Sequence, residues 1–178
     1  MAQQVNSVVD DTEALSVSEV LDNPRLVPLV GLRVVLGGMI LFAGLGKVSE
    51  WPFDAAGYLA NINSASPVSG LYGAMASSPV LMDIINVVVP ATQLLIGVAV
   101  ITGICVRLAA VGGAIQMMLF YLGGWSGEFL SLFGSTLIYA VGFLTIAALG
   151  VGRLAGGDGY IEQLDIVQNN PKLRYILG

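Results

Sequence analysis

Six side chains in this sequence are of types that could hold a ligand in apolar surroundings: Arg33, Lys47, Gln93, Arg107, Gln116 and Tyr139. Arginine and lysine supply charged donors, each glutamine amide supplies a donor and an acceptor, and the tyrosine hydroxyl supplies either. Their chemistry is holding rather than bond breaking. No nucleophile stands beside a base, no carboxylate falls at mid-segment, and no glycine-rich phosphate loop follows a strand. The set therefore predicts no catalytic residue and no metal ligand. It would suit a quinone, which needs an apolar cleft, two or three donors for its carbonyl oxygens, and a charged path to water for protons.

The spacing within LRVVLGGMILFAGLGKV, Leu32 to Val48, sharpens this reading. Arg33, Gly37, Gly44 and Lys47 are separated by 4, 7 and 3 residues. At about 100° per residue they fall within roughly 80° of one another on one helix face. Glycine at two of the four places lets a neighbouring backbone, or a flat ligand, come close. Lys47, near the end of the run, can snorkel to headgroups as an interface anchor. Arg33 lies further in, where a charge costs about 2.5 to 3.5 kcal/mol at the bilayer centre and less near an edge, so it needs an acceptor. The expected acceptors are polar side chains on the other segments: Gln93, Gln116, Ser135, Thr136, Tyr139 and Thr145. Ser135 and Thr145 are expected as ordinary glue between helices.

The elements that must carry these residues follow from composition. The chain is 56% hydrophobic and 11% charged, with mean hydropathy +0.83, so lipid is the expected solvent. No charged residue occurs from Ile84 to Val106, from Leu108 to Gly127, or from Phe129 to Gly152. Each block reaches the roughly 20 residues that cross about 30 Å of hydrocarbon. With the opening segment, the reading is an all-α fold: a four-transmembrane-helix antiparallel bundle with spans at about 28–48, 84–104, 107–124 and 131–152. The domain organisation is an acidic segment 1–27, a transmembrane domain 28–155 and a tail 156–178. The outer loop 49–82 is apolar but interrupted by Gly, Ser, Asn and Pro, which predicts two short interfacial helices with a bend at Ser64 to Pro67. Trp51, Tyr58, Tyr72 and Trp125 would suit the interface depth.

Orientation follows from the cations. With a cytoplasmic N-terminus, Arg25, Arg107, Arg153, Lys172 and Arg174 lie inside and Lys47 outside. This places the chain in the cell membrane with both termini cytoplasmic. The first 27 residues are the reverse of a secretory signal, and Ser16-Val-Ser-Glu19 has the spacing of a capping box that starts a short helix ending at Asn23-Pro24.

Several function classes are excluded. The net charge of −5 is concentrated in residues 1–27, where five carboxylates face one arginine; no basic patch remains for nucleic acid. Without histidine there is no imidazole ligation of haem or zinc, and one cysteine allows neither an internal disulfide nor an iron–sulfur cluster. Cys105 reads as a small buried hydrophobe.

The first span, with its arginine, its glycines and Gly-Leu-Gly-Lys at its exit, resembles the opening of the DoxX/DoxD family of small four-helix membrane proteins. The likeness continues through Pro52-Phe53, Gln93-Leu-Leu-Ile-Gly97, Thr102-Gly-Ile-Cys-Val-Arg107 and the closing Gly-Asp-Gly with Asp165 after it, and so runs from about Val27 to Asp165. The resemblance implies a membrane subunit linked to quinone-dependent oxidoreductases, the thiosulfate:quinone oxidoreductase subunit being one example, with a role in respiratory or sulfur metabolism. Arg33, Lys47, Gly97 and Arg107 match family positions. Gln93 stands where members often have glutamate; an amide cannot move protons as a carboxylate can, so the chain is not expected to be catalytic alone. Quinone is the one cofactor implied, and the lipid bilayer and other subunits of a membrane complex are the implied partners, with homo-oligomerisation left open. The alternative is a non-catalytic scaffold of a larger membrane complex, and a small-solute transporter ranks third.

Overall fold

The computed structural model describes residues 14–129 and 133–178. Nine α-helices occur among them: α1 (Val17–Asp22), α2 (Val27–Ser49), α3 (Ala56–Ala60), α4 (Ser69–Ala76), α5 (Pro79–Thr102), α6 (Val106–Gly123), α7 (Ser135–Ala148), α8 (Asp158–Ile161) and α9 (Asp165–Gln168). Three of them, α2, α5 and α6, are long and apolar enough to cross a membrane. The four long helices form a ring of neighbours: α2 packs on α5, α5 on α6, α6 on α7, and α7 back on α2. Leu36, Ile40, Val100, Val106, Ala110, Met117, Phe143 and Ile146 fill the centre. Outward residues are as apolar as inward ones: Phe42 and Leu95 expose 73% and 71% of their surface. Such surfaces suit the lipid of a membrane.

Local sequence sets the helix ends. Ser16 caps α1 with the anticipated box, its hydroxyl accepting the Glu19 N–H while the Glu19 carboxylate accepts the Ser16 N–H at 2.7 Å. Pro28 and Pro79 sit in the first turns of α2 and α5, where no intrahelical N–H is needed. Gly103, in the left-handed region at φ +75°, stops α5. The second apolar helix thus starts at Pro79, earlier than the charge pattern suggests, because Asp83 lies within its first turns. Among the described residues of the fourth apolar block, expected over 131–152, the α-helix covers 14 residues, Ser135 to Ala148. Gly134 precedes it, Gly150 in the left-handed region closes it, and a 3₁₀ turn at Val151–Arg153 follows. At about 1.5 Å per residue α7 is roughly 21 Å long, shorter than the hydrocarbon thickness.

The glycine face of α2 receives α5 itself. A Cβ at Gly37 would meet Ile101, and one at Gly44 would meet Gln93 and the Leu94 backbone. From the other side, a Cβ at Gly97 would lie 2.6 to 2.8 Å from Leu41 Cβ, Cα and N. Between the two options left open by the sequence, a helix backbone rather than a flat ligand fills this place. Gly97→Val is expected to cost about 1 to 3 kcal/mol by overpacking. A lowered thermal midpoint in detergent, followed by circular dichroism, checks it.

The two short helices in loop 49–82 are α3 and α4, and the turn closed by the Ser66 N–H to the Asn63 carbonyl separates them. They form a lid on the end of α6, built on Ala55, Leu59, Tyr72 and Met82. Three hydroxyls satisfy carbonyls of the last turns of α6: Tyr72 donates to Leu119 at 3.0 Å, Tyr58 to Phe120 at 3.4 Å and Ser66 to Leu122 at 2.6 Å. Tyr72 is therefore buried in the lid.

Candidate functional site

The predicted site residues do not converge; the structure distributes them over three places. At the end of the bundle that carries the turn between α5 and α6, called here the turn end, lie Arg33 and Arg107. Gln93 and Gln116 lie within the bundle. Lys47 is at the opposite end, donating to its own helix at Ala43 with its ammonium 5.7 Å from the centre of the Phe53 ring. Tyr139 is half-buried on α7 against the main core.

Arg33 is 2% exposed. Contrary to expectation, backbone carbonyls answer it. Nη1 donates to Val151 and Leu154, both at 2.8 Å, and Nη2 donates to Ala155 at 3.1 Å. The segment after α7 turns so tightly, with Gly150 and Ala155 at positive φ, that its carbonyls point together into one guanidinium. Gly103 and Gly156 meet backbone to backbone beside it, and a Cβ on Gly156 would lie 2.7 Å from Nη1. The expected chamber of amides and hydroxyls around Arg33 does not form. Carbonyls on a bent backbone are a denser acceptor set than single side chains on separate rods. Thr145, expected as glue between helices, likewise donates to Val141 of its own helix at 2.8 Å.

Asp158, the acid of the closing Gly-Asp-Gly, is the negative counterpart. It is fully buried. Oδ1 accepts the Cys105 N–H at 2.6 Å; Oδ2 accepts those of Val106 and Gly178 at 2.9 and 2.8 Å. Cys105 precedes α6 in a left-handed conformation and gives that helix no side-chain cap, so a carboxylate from a distant segment supplies one and meets the positive end of the helix dipole. Burial pushes the Asp158 carboxyl above its ordinary range; the three N–H bonds pull it down without reversing this, and nearby Glu162 adds to the rise. The Cys105 thiol is also pushed up, by burial and then by Asp158, which keeps it protonated and unreactive. The signal in sequence was an acid between two glycines directly after an apolar block.

Arg107 occupies the first turn of α6. Its Nε donates to Ala147 at 3.3 Å and Nη1 to the Arg174 carbonyl at 3.3 Å. It borders an open groove of about 420 Å³ between α6 and α7, walled by Leu108, Val111, Leu144 and Ala147.

Inside the bundle, Gln93 is 1% exposed and lies against Gly44 of α2. Gln116, on α6, donates through Nε2 to Thr92 Oγ1 at 3.3 Å. The Thr92 hydroxyl donates to Val88 at 2.7 Å, so its oxygen is the acceptor and the Gln116 amide is held with Oε1 turned away. Both Oε1 atoms are buried without a hydrogen-bond partner. An unmet acceptor costs about 1 to 3 kcal/mol, which marks the pair as the interior's open chemistry. What they lack is a donor.

Among the described residues no group of His, Cys, Asp or Glu is arranged to hold a metal ion. A family model described as DoxX matches residues 29–125, from the first turn of α2 to just past the end of α6, and with them Arg33, Lys47, Gln93, Arg107 and Gln116. No curated protein and no solved structure matches the chain.

Proposed function

The chain belongs to the DoxX family of membrane proteins, and from that premise we propose that it is the membrane subunit of a quinone-linked oxidoreductase complex, serving as anchor and as a site for the quinone. The observation that carries the reading is the pair of buried, unpartnered amide oxygens on Gln93 and Gln116. Acceptors of this kind fit the hydroxyl groups of a reduced quinone better than the carbonyls of an oxidised one. Bound there, a quinone would supply two-electron, two-proton carriage within the membrane. The chain's own part is to bind and orient: Gln116 is held by Thr92, Gln93 is set by the close α2 and α5 crossing, and the apolar core excludes water. With no histidine and a single cysteine, the electron-donating cofactor belongs to a partner subunit.

In this reading α7 and the following 3₁₀ turn make a fourth crossing. The turn end faces the cytoplasm of the cell membrane, since Arg25, Arg107, Arg153, Lys172 and Arg174 follow the positive-inside rule there while Lys47 lies opposite.

The test is the quinone content of protein purified from native membranes, extracted into solvent and measured by chromatography per mole of chain. Gln93→Leu and Gln116→Leu are each expected to lower it about fivefold to tenfold, the worth of a buried hydrogen bond. Protein free of quinone, or variants that retain as much as the parent, would argue against the site. A scaffold role has one observation in its favour: Val17, Leu21, Tyr160, Leu164 and Ile166 expose apolar side chains outside the long helices. It would be favoured by partner subunits that co-purify undiminished with quinone-free protein.

A further inference from the structure

We propose that the groove between α6 and α7 is a binding site for an anionic phospholipid of the leaflet at the turn end, with its phosphate on Arg107 and one acyl chain along the groove. Three observations carry this independently of any quinone. First, Arg107 is a cation with unspent capacity. Its Nε and Nη1 donate to the Ala147 and Arg174 carbonyls, which fix the guanidinium plane without neutralising it, and Nη2 has no partner among the described residues. Arg153, by contrast, is neutralised by Glu162 at 2.8 Å. A guanidinium held in position by backbone carbonyls, with one edge free, is suited to a phosphate.

Second, the groove below that charge is apolar along its length. Leu108, Val111 and Leu144 line it and expose 60%, 43% and 50% of their surface, with Ala147 and Ala148 leaving room between them. Small residues on one helix opposite larger ones on the next make a channel for a hydrocarbon chain rather than for a folded protein segment.

Third, the mouth gathers more positive charge. The 3₁₀ turn Pro171–Tyr175 is tied to Arg107 through the Arg174 carbonyl and carries Lys172 and Arg174, both exposed. Tyr175, 81% exposed, and Ile176 border the same opening. A basic pocket between membrane helices at the headgroup level selects anionic over zwitterionic lipid by charge complementarity. A quinone, being neutral, would gain nothing from the surplus charge.

The experiment uses the full chain in detergent, with equimolar phosphatidylglycerol and phosphatidylcholine added and bound lipid counted by native mass spectrometry. The parent is expected to hold phosphatidylglycerol about fivefold in preference, the value of roughly one surface cation. Arg107→Gln should lower that preference severalfold, leaving only what the exposed Lys172 and Arg174 contribute. Because that change also removes two bonds to backbone, a second variant, Val111→Trp, fills the groove and keeps the charge; it should lower retention of both lipids. Excess inorganic phosphate should displace neither. Equal binding of the two lipids by the parent would overturn the proposal. So would unchanged preference in Arg107→Gln, unchanged retention in Val111→Trp, or displacement by phosphate, which would indicate a free-anion site.

Discussion

Replacing Arg33 by methionine is expected to destabilise the protein by about 4 kcal/mol, because each charge-assisted hydrogen bond contributes about 1.5 to 3 kcal/mol and part is regained when a buried charge is removed. Methionine keeps the apolar stem and withdraws three donated hydrogen bonds. The carbonyls of Val151, Leu154 and Ala155, aimed at the guanidinium, would then face a space without donors. The 3₁₀ turn after α7 is expected to open first, since its own internal bonds are long, the Arg153 N–H to Gly150 at 3.4 Å and the Leu154 N–H to Val151 at 3.2 Å, while the Leu15 segment and the Arg153–Glu162 pair hold its end. Thermal melts in detergent and amide exchange over residues 150–156 measure both effects. Arg33→Lys should recover a minority of the loss, as one ammonium cannot span three carbonyls that a planar fork meets together. Quinone content of the still-folded fraction should stay at the parental level, since the guanidinium is turned to the turn end and not to the interior amides. A melt within about 1 kcal/mol of the parent would show that the carbonyls find other donors.

Asp158→Asn is the second large effect, expected at about 3 kcal/mol, because in either amide orientation at least one buried N–H loses its acceptor, at about 1 to 3 kcal/mol, and faces a second donor. An asparagine has the same shape and one acceptor oxygen. If that oxygen keeps the Cys105 N–H, the amide nitrogen must take the place of Oδ2 and confront the N–H groups of Val106 and Gly178, donor against donor. The amide flip only moves the conflict to Cys105. The carboxylate's contribution to the positive end of α6 is lost as well. Asp158→Glu gives no rescue, because Oδ2 already lies close against Gly152, where a Cβ would collide with it. Amide exchange at Cys105 and Val106 should quicken in Asp158→Asn while amides at the lid end of α6 remain protected. Uniform quickening along α6 would mean that the carboxylate supports the helix as a whole and is not a local cap.

How much of this was legible beforehand depended on whether the signal was carried by residue type or by backbone direction. The capping box at Ser16 and Glu19 needs only two side chains three residues apart, and it forms as expected. The helices inside the apolar blocks were likewise readable, since lipid imposes internal hydrogen bonding on any long uncharged stretch. The pairing of α2 with α5 was half legible: Gly37 and Gly44 announced a close approach, but its partner, Gly97, became apparent only with the fold. The acceptors of Arg33 were not legible at all. Carbonyls are present at every residue, so their convergence leaves no mark in the sequence. For the same reason Asp158 stood out only as the acid of a Gly-Asp-Gly, since its N–H partners lie 53, 52 and 20 residues away.

The sequence by itself determined the solvent, the apolar helices and the residues that had to find partners, because the cost of an unmet charge or N–H in hydrocarbon depends on chemistry and not on position. Tertiary structure alone decided who those partners are. It assigned the charged side chains of Arg33 and Asp158 to backbone groups at the turn end and left the amide oxygens of Gln93 and Gln116 without donors. The physical reason is directional: burial is a property of residue type, whereas a hydrogen bond needs an acceptor and a donor aimed at each other, and only the folded path of the chain aims them.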